Sequence, residues 1–217
     1  LVCLVMKLSD FDNRLDKIGL ALMSGVEAKN DSVKEFGIGE DLSMNLFLWR
    51  ANRLRIMLQL RNDIQKLNQR DRFSAVTDAL AITRKAWGID AVSLISEGYF
   101  SEDPEKTKDV ELKTAFLNPD SGVRECLTVA HVEDGYVTFV VKPYRYDVPR
   151  TVVWEDERYH PGSSMVRDQN GMYPNMFHRV ITTIEPERDD EIFDKETYYE
   201  TISTGLYDSG FFIQHWD

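Results

Sequence analysis

Ala91-Val92-Ser93-Leu94-Ile95-Ser96-Glu97-Gly98-Tyr99-Phe100 is the stretch that decides the fold. Its alternation is that of a strand, with Val92 and Leu94 on one face and Ile95, Glu97 and Tyr99 on the other. The clearest helix of the chain runs straight into it. Over 72–87, Phe73, Val76, Leu80 and Trp87 form a stripe at helical spacing, and Gly88 is a natural C-cap. Two further strand-like runs follow, 123–132 and 136–146, joined by Asp134-Gly135, a strong signal for a two-residue hairpin turn. That turn pairs Val132 with Val137, Ala130 with Phe139 and Thr128 with Val141 on one face. On the other face it pairs His131 with Thr138, Val129 with Val140, Leu127 with Lys142 and Glu125 with Tyr144.

Upstream, Ser9 and Asp12 have capping-box spacing. Phe11, Leu15, Ile18 and Leu22 recur as on a helix, Gly25 is a plausible stop, and 30–41 reads as a loop. Residues 46–60 read as a hairpin with a three-residue loop, Ala51-Asn52-Arg53. This sets Leu46 against Leu58, Phe47 against Met57, Leu48 against Ile56 and Trp49 against Arg55. A two-residue turn would set Arg50 against Arg53, a like-charge pair, and is disfavoured. The competing reading is one helix over 44–67, since Leu, Met, Arg and Gln are good helix formers.

Downstream, 102–122 is a highly charged insert. Asp103-Pro104 opens a short helix there, with Val110, Leu112 and Phe116 on its apolar side. Residues 151–154 make a short strand, 157–176 a long loop, 177–184 a strand and 194–206 a final helix. Residues 211–216 are too apolar for a free tail and are expected to dock on the body. The expected fold is α+β: a largely antiparallel sheet of about five or six strands flanked by helices. Its order is helix-strand-strand-helix-strand-insert-strand-strand-strand-helix, in one domain spanning 1–217.

Composition narrows the function classes. The formal net charge is −11 and the basic residues are scattered, which speaks against a nonspecific grip on nucleic acid. No apolar stretch reaches membrane-spanning length. Two distant cysteines, Cys3 and Cys126, exclude a disulfide framework and suit a reducing, cytoplasmic setting. Met6-Lys7-Leu8 resembles a natural start, so 1–5 is expected to be non-native, with 1–8 an extension of the domain.

Phosphate-loop, dinucleotide, nucleophile-elbow and zinc-protease signatures are absent from the sequence, and no cofactor or metal is expected. Glu111-Leu112-Lys113 matches a nuclease element but falls in the charged insert. Glu97, Glu125 and His131 are the candidate catalytic residues, because a carboxylate pair with an imidazole can share acid–base work or a divalent ion. Glu125 and His131 sit roughly 20 Å apart at about 3.3 Å per residue, so Glu97 can join only one of them. Asp156, Glu157 and His160 could approach one another in a hydrated loop.

The second candidate is a surface. Phe47, Trp49, Arg55, Met57, Lys142, Tyr144 and Tyr146, with Leu127, share one sheet face. That face is either covered by the terminal helices or used to bind a protein partner or a second copy. The expected function is thus a small interaction module without catalysis, using this face or the docked C-terminal segment. The alternative is a metal-dependent hydrolase or nuclease with acids near Glu97.

Overall fold

A computed structural model of the chain describes residues 14–37, 41–101, 122–147, 151–160, 172–188 and 192–216. In chain order its elements are α1 (Arg14–Phe36), β1 (Asn45–Arg50), β2 (Arg53–Leu60), α2 (Asn62–Gln65), α3 (Gln69–Trp87), β3 (Ala91–Ser101), β4 (Val123–Glu133), β5 (Tyr136–Asp147), β6 (Thr151–Trp154), β7 (Arg158–His160), α4 (Met172–Thr183), α5 (Lys195–Asp208) and β8 (Phe211–His215). The strands form one antiparallel sheet in the order β6-β5-β4-β3-β1-β2-β8. Strand β7 shares the outer side of β5 with β6, so eight strands fill seven positions, and β3 is the middle one. The fold is α+β, as expected, with a larger sheet than the sequence suggests.

The sheet is covered on both faces. Leu46, Leu48, Ile56, Leu58, Val92, Leu94, Ala130 and Val132 meet α3, α4 and α5 through Val76, Leu80, Phe177, Val180 and Leu206. Small Ala130 opposite Phe139 leaves room for helices on this side. The other face, with Phe47, Trp49, Ile95, Leu127, Val129, Val140 and Tyr144, lies under α1 through Ile18, Ala21 and Leu22. Each fully buried side chain of this size contributes about 1.5–3 kcal/mol, so packing on both faces, complete except over β2 and β8 on the α1 side, holds the sheet together.

The β4–β5 register is the expected one throughout, and Asp134 and Gly135 both take the left-handed conformation of a tight hairpin turn. The β1–β2 hairpin keeps the expected pairs from Leu46–Leu58 to Leu48–Ile56 and then departs. A bulge follows Leu48, Trp49 pairs with Leu54, and Arg50 faces Arg53 across a two-residue turn at Ala51-Asn52. Ala51 (φ 47°) and Asn52 (φ 64°) are both left-handed. That turn matches the strand twist, and the two arginines point into water, where screening makes like charges cheap. Asp90 helps by accepting a 2.8 Å hydrogen bond from Ala51 N.

Two other expectations are corrected, the helix stop at Gly25 with the loop after it and the strand at 177–184 with the loop before it, while the hairpin over 46–60 and the docked 211–216 segment are found as expected. Gly25 does not end α1. The helix continues to Phe36, through the stretch read as a loop, and Gly25 is the point of closest approach to the sheet, where a Cβ would collide with Ile95. Residues 44–67 are a hairpin and a one-turn helix rather than one helix. Residues 177–183 belong to helix α4, whose apolar face packs on β4, and the 157–176 loop holds β7 and the start of α4. Phe211–His215 docks as a strand on β2. The Ser9–Asp12 capping box and the 102–121 insert, with Glu111 and Lys113, lie outside the described residues.

Candidate interaction surface

α1 decides what the aromatic sheet face can do. Its inward stripe, Ile18, Ala21, Leu22, Gly25, Lys29 and Val33, lies flat on the sheet. Phe47, Trp49 and Tyr144 are therefore core beneath it, not a surface for a partner. Two lysines fix the helix, Lys17 and Lys29, each 1% exposed. Lys29 Nζ lies 2.7 Å from Glu97 Oε1 and over the rings of Tyr144 and Tyr146, at 5.4 and 5.7 Å. Lys17 pairs with Glu133, which Arg14 also approaches at 3.8 Å.

The three candidate catalytic residues separate into two groups. His131 belongs to a buried chain of donors and acceptors. Trp49 Nε1 donates to Ser93 Oγ at 3.1 Å, Ser93 Oγ lies 2.8 Å from His131 Nδ1, and His131 Nε2 lies 3.1 Å from Glu133 Oε2. The ionised Glu133 carboxylate only accepts, so the neutral imidazole carries its proton on Nε2, and Nδ1 accepts from the Ser93 hydroxyl, whose oxygen accepts from the indole. Burial pushes the His131 pKa down, against the opposing pull of Glu133. Burial also disfavours ionised Glu133, but the hydrogen bonds from His131 and Lys17 and the charge of the lysine outweigh it and hold the carboxyl at about 2. Ser93–His131–Glu133 has the order of a hydrolase triad, yet Ser93 and His131 are wholly buried under α1 and the Ser93 oxygen is occupied by Trp49. The arrangement locks α1 to β3 and β4 rather than offering a nucleophile to substrate.

Glu97 and Glu125 come together at the other end of α1. Glu97 Oε1 accepts from Lys29 and, at 2.5 Å, from the Tyr144 hydroxyl, while Oε2 accepts from Leu42 N at 2.6 Å. Burial, then the Glu97 carboxylate, raises the Tyr144 pKa. Burial raises that of Glu125 too, only partly offset by Tyr146 and Lys29. Asp41, Gln65, Arg72, Glu97, Tyr99 and Glu125 line a cleft of about 370 Å³. Among the described residues, no three His, Cys, Asp or Glu side chains are grouped to hold a metal. Cys126, next to Glu125, is an inert thiol: burial, then the two glutamates, pushes it up to about 12.

The remaining face residues divide by position. Lys142 reaches outward to Glu157 at 3.0 Å, and Tyr146 packs edge-on against Tyr144. Arg55 and Met57 lie beyond the reach of α1, which packs on β3, β4 and β6. There β8 extends the same face: Met57 pairs with Gln214 and Gln59 with Phe212, and Trp216 N donates to Arg55 O. Phe212 is 49% exposed, and its ring lies 6.1 Å from that of the equally open Tyr207. This wing of Arg55, Met57, Gln59, Phe212, Gln214 and Trp216 is the candidate surface.

Sequence reasoning missed Lys17 and Lys29, because lysine reads as solvent-facing. The signal was their place on the same helical stripe as Ile18, Leu22 and Gly25. Phe212 and Trp216 were seen as docking, but which of them stays open depends on the sheet order. No helix among the described residues is long and apolar enough to cross a membrane. Comparison with protein-family models, with curated proteins and with solved structures finds no match for this chain.

Proposed function

We propose that the chain is a protein-interaction module without catalysis, and that the β2–β8 wing is its contact surface. The observation that carries this is Phe212, half exposed on the border strand β8, on a part of the sheet that α1 leaves uncovered. Partly buried Met57 lies diagonal to it, with partly buried Arg55 and Trp216 further along the same wing, and Met, Arg and aromatic residues are the types that interfaces favour. The charge of −11 favours a protein or a second copy over nucleic acid as the partner, and the cysteine usage speaks for a reducing, cytoplasmic setting. The test is a photo-activated cross-linker at position 212 in the native cell. A protein adduct that Met57→Glu abolishes is expected. Adducts indifferent to Met57→Glu, or none, would sink the reading.

The cleft beside Glu97 favours the second reading, a metal-dependent hydrolase or nuclease, because Asp41 and Glu125 join Glu97 there. Both Glu97 oxygens are already engaged, so a metal would have to displace Lys29 or the Leu42 amide. Magnesium or manganese is expected to leave the melting temperature unchanged. A rise of several degrees that Glu97→Gln removes would put the enzyme reading first.

A further inference from the structure

Among the described residues strand β8 forms one border of the sheet, and it carries no Lys, Arg, Asp, Glu or Pro. Border strands are usually guarded by such residues, because a bare edge is a template for another strand. The register shows which groups are presented. Arg61 N donates to Gly210 O and Trp216 N donates to Arg55 O. By antiparallel alternation, the backbone groups of Phe212 and Gln214 turn toward β2, and those of Phe211 and Ile213 turn outward.

The two ends of this border differ in charge. Beside Trp216 are Arg53, which is exposed, and Arg55, whose Nε is buried without an acceptor among the described residues. Among those residues neither arginine has a carboxylate partner. At the opposite end Arg61 is already matched to Asp63 at 2.8 Å, and exposed Asp208 closes α5 just before the turn into β8. Two copies related by a twofold axis bring unlike ends together.

Resting on the module reading, we infer that the wing pairs with a second copy of this chain, β8 against β8 in antiparallel fashion, centred on Ile213. In that register Phe212 faces Gln214 of the second copy and lies diagonal to its Trp216, within aromatic reach. Asp208 comes alongside Arg53 of the second copy, and symmetry makes each contact twice. The two sheets become one continuous sheet with the bare edges removed from solvent.

Light scattering after size exclusion, over a concentration series, tests this. The expected mass is twice that of the chain at high concentration. Ile213→Pro removes an outward N–H without touching a bond to β2, so it should give a monomer that still melts cooperatively, at a somewhat lower temperature because the Ile213 side chain also packs on the core. Phe212→Lys, at an exposed position, serves if the proline variant does not fold. Arg53→Glu should weaken the dimer by about tenfold, because the pair occurs twice. Adding Asp208→Arg to it should restore most of the loss. A monomer at every concentration overturns the proposal, as does a dimer indifferent to Ile213→Pro and Phe212→Lys, or a charge swap that restores nothing. A monomer that still gives a Met57-sensitive adduct in the cell would leave the module reading standing with a different partner.

Discussion

Lys29 and Glu97 show how a single buried pair sets the role of a residue. Glu97 was the polar residue on the central strand with the most open future, and three donors fix it as structural. Lys29→Met should therefore cost about 3–5 kcal/mol in urea unfolding, because the carboxylate stays buried without its cation. Adding Glu97→Gln should recover much of that. His131 gives a pH signature. Its folded pKa lies below the ordinary 6.5, so its contribution is present above that pH and is lost as pH falls. Glu133 acts in the same sense, from 4.5 down to about 2. Glu125, raised, acts in the opposite sense and contributes most in acid. The groups facing His131 are Ser93, Glu133, Lys17 and Arg14. The melting temperature should fall between pH 7 and pH 5, and His131→Asn should flatten that slope.

At the scale of the element, α1 and the β1–β2 turn carry the lessons. Two glycines on α1 make opposite predictions. Gly19 has open space at its Cβ position, so Gly19→Ala should stabilise by about 0.4–1 kcal/mol. Gly25→Ala should destabilise by about 1–3 kcal/mol, because the added carbon meets Ile95 and Leu127 and the helix must lift. Urea melts of the two variants side by side check both signs. In the turn, Ala51 holds a left-handed backbone that costs an alanine roughly 1–2 kcal/mol. Ala51→Gly should return part of that as a higher melting temperature.

At the scale of the molecule, sheet order ranks the strands. β3, β4 and β1 are interior and covered on both faces, while β8 is a border. Native-state hydrogen exchange should be slowest at Val92, Val129 and Leu48. Along β8 it should alternate, with the amides of Phe212 and Gln214 protected and that of Ile213 fast in the monomer. Uniform protection of all three in dilute protein would contradict the border position.

The sequence by itself determined the strands that face both ways, because alternation is a local signal. Val92, Leu94, Ala130 and Phe139 fall on the expected faces, and Asp134-Gly135 sets the β4–β5 register by turn chemistry alone. It also placed α3, through its stripe and Gly88. Tertiary structure decided the rest. Gly25 is a stop in isolation and a contact point against Ile95. Residues 177–184 read as a strand until β4 supplies a surface for a helix. Whether the Trp49–Tyr144 face is open turned on where α1 lies, and whether Phe212 is open turned on β8 being last in the sheet. Lys17 and Lys29 are buried only because Glu133 and Glu97 wait across the sheet. Those are contacts between residues far apart in the chain; the helical stripe shows which way the two lysines point, but no local pattern encodes the partner each one meets.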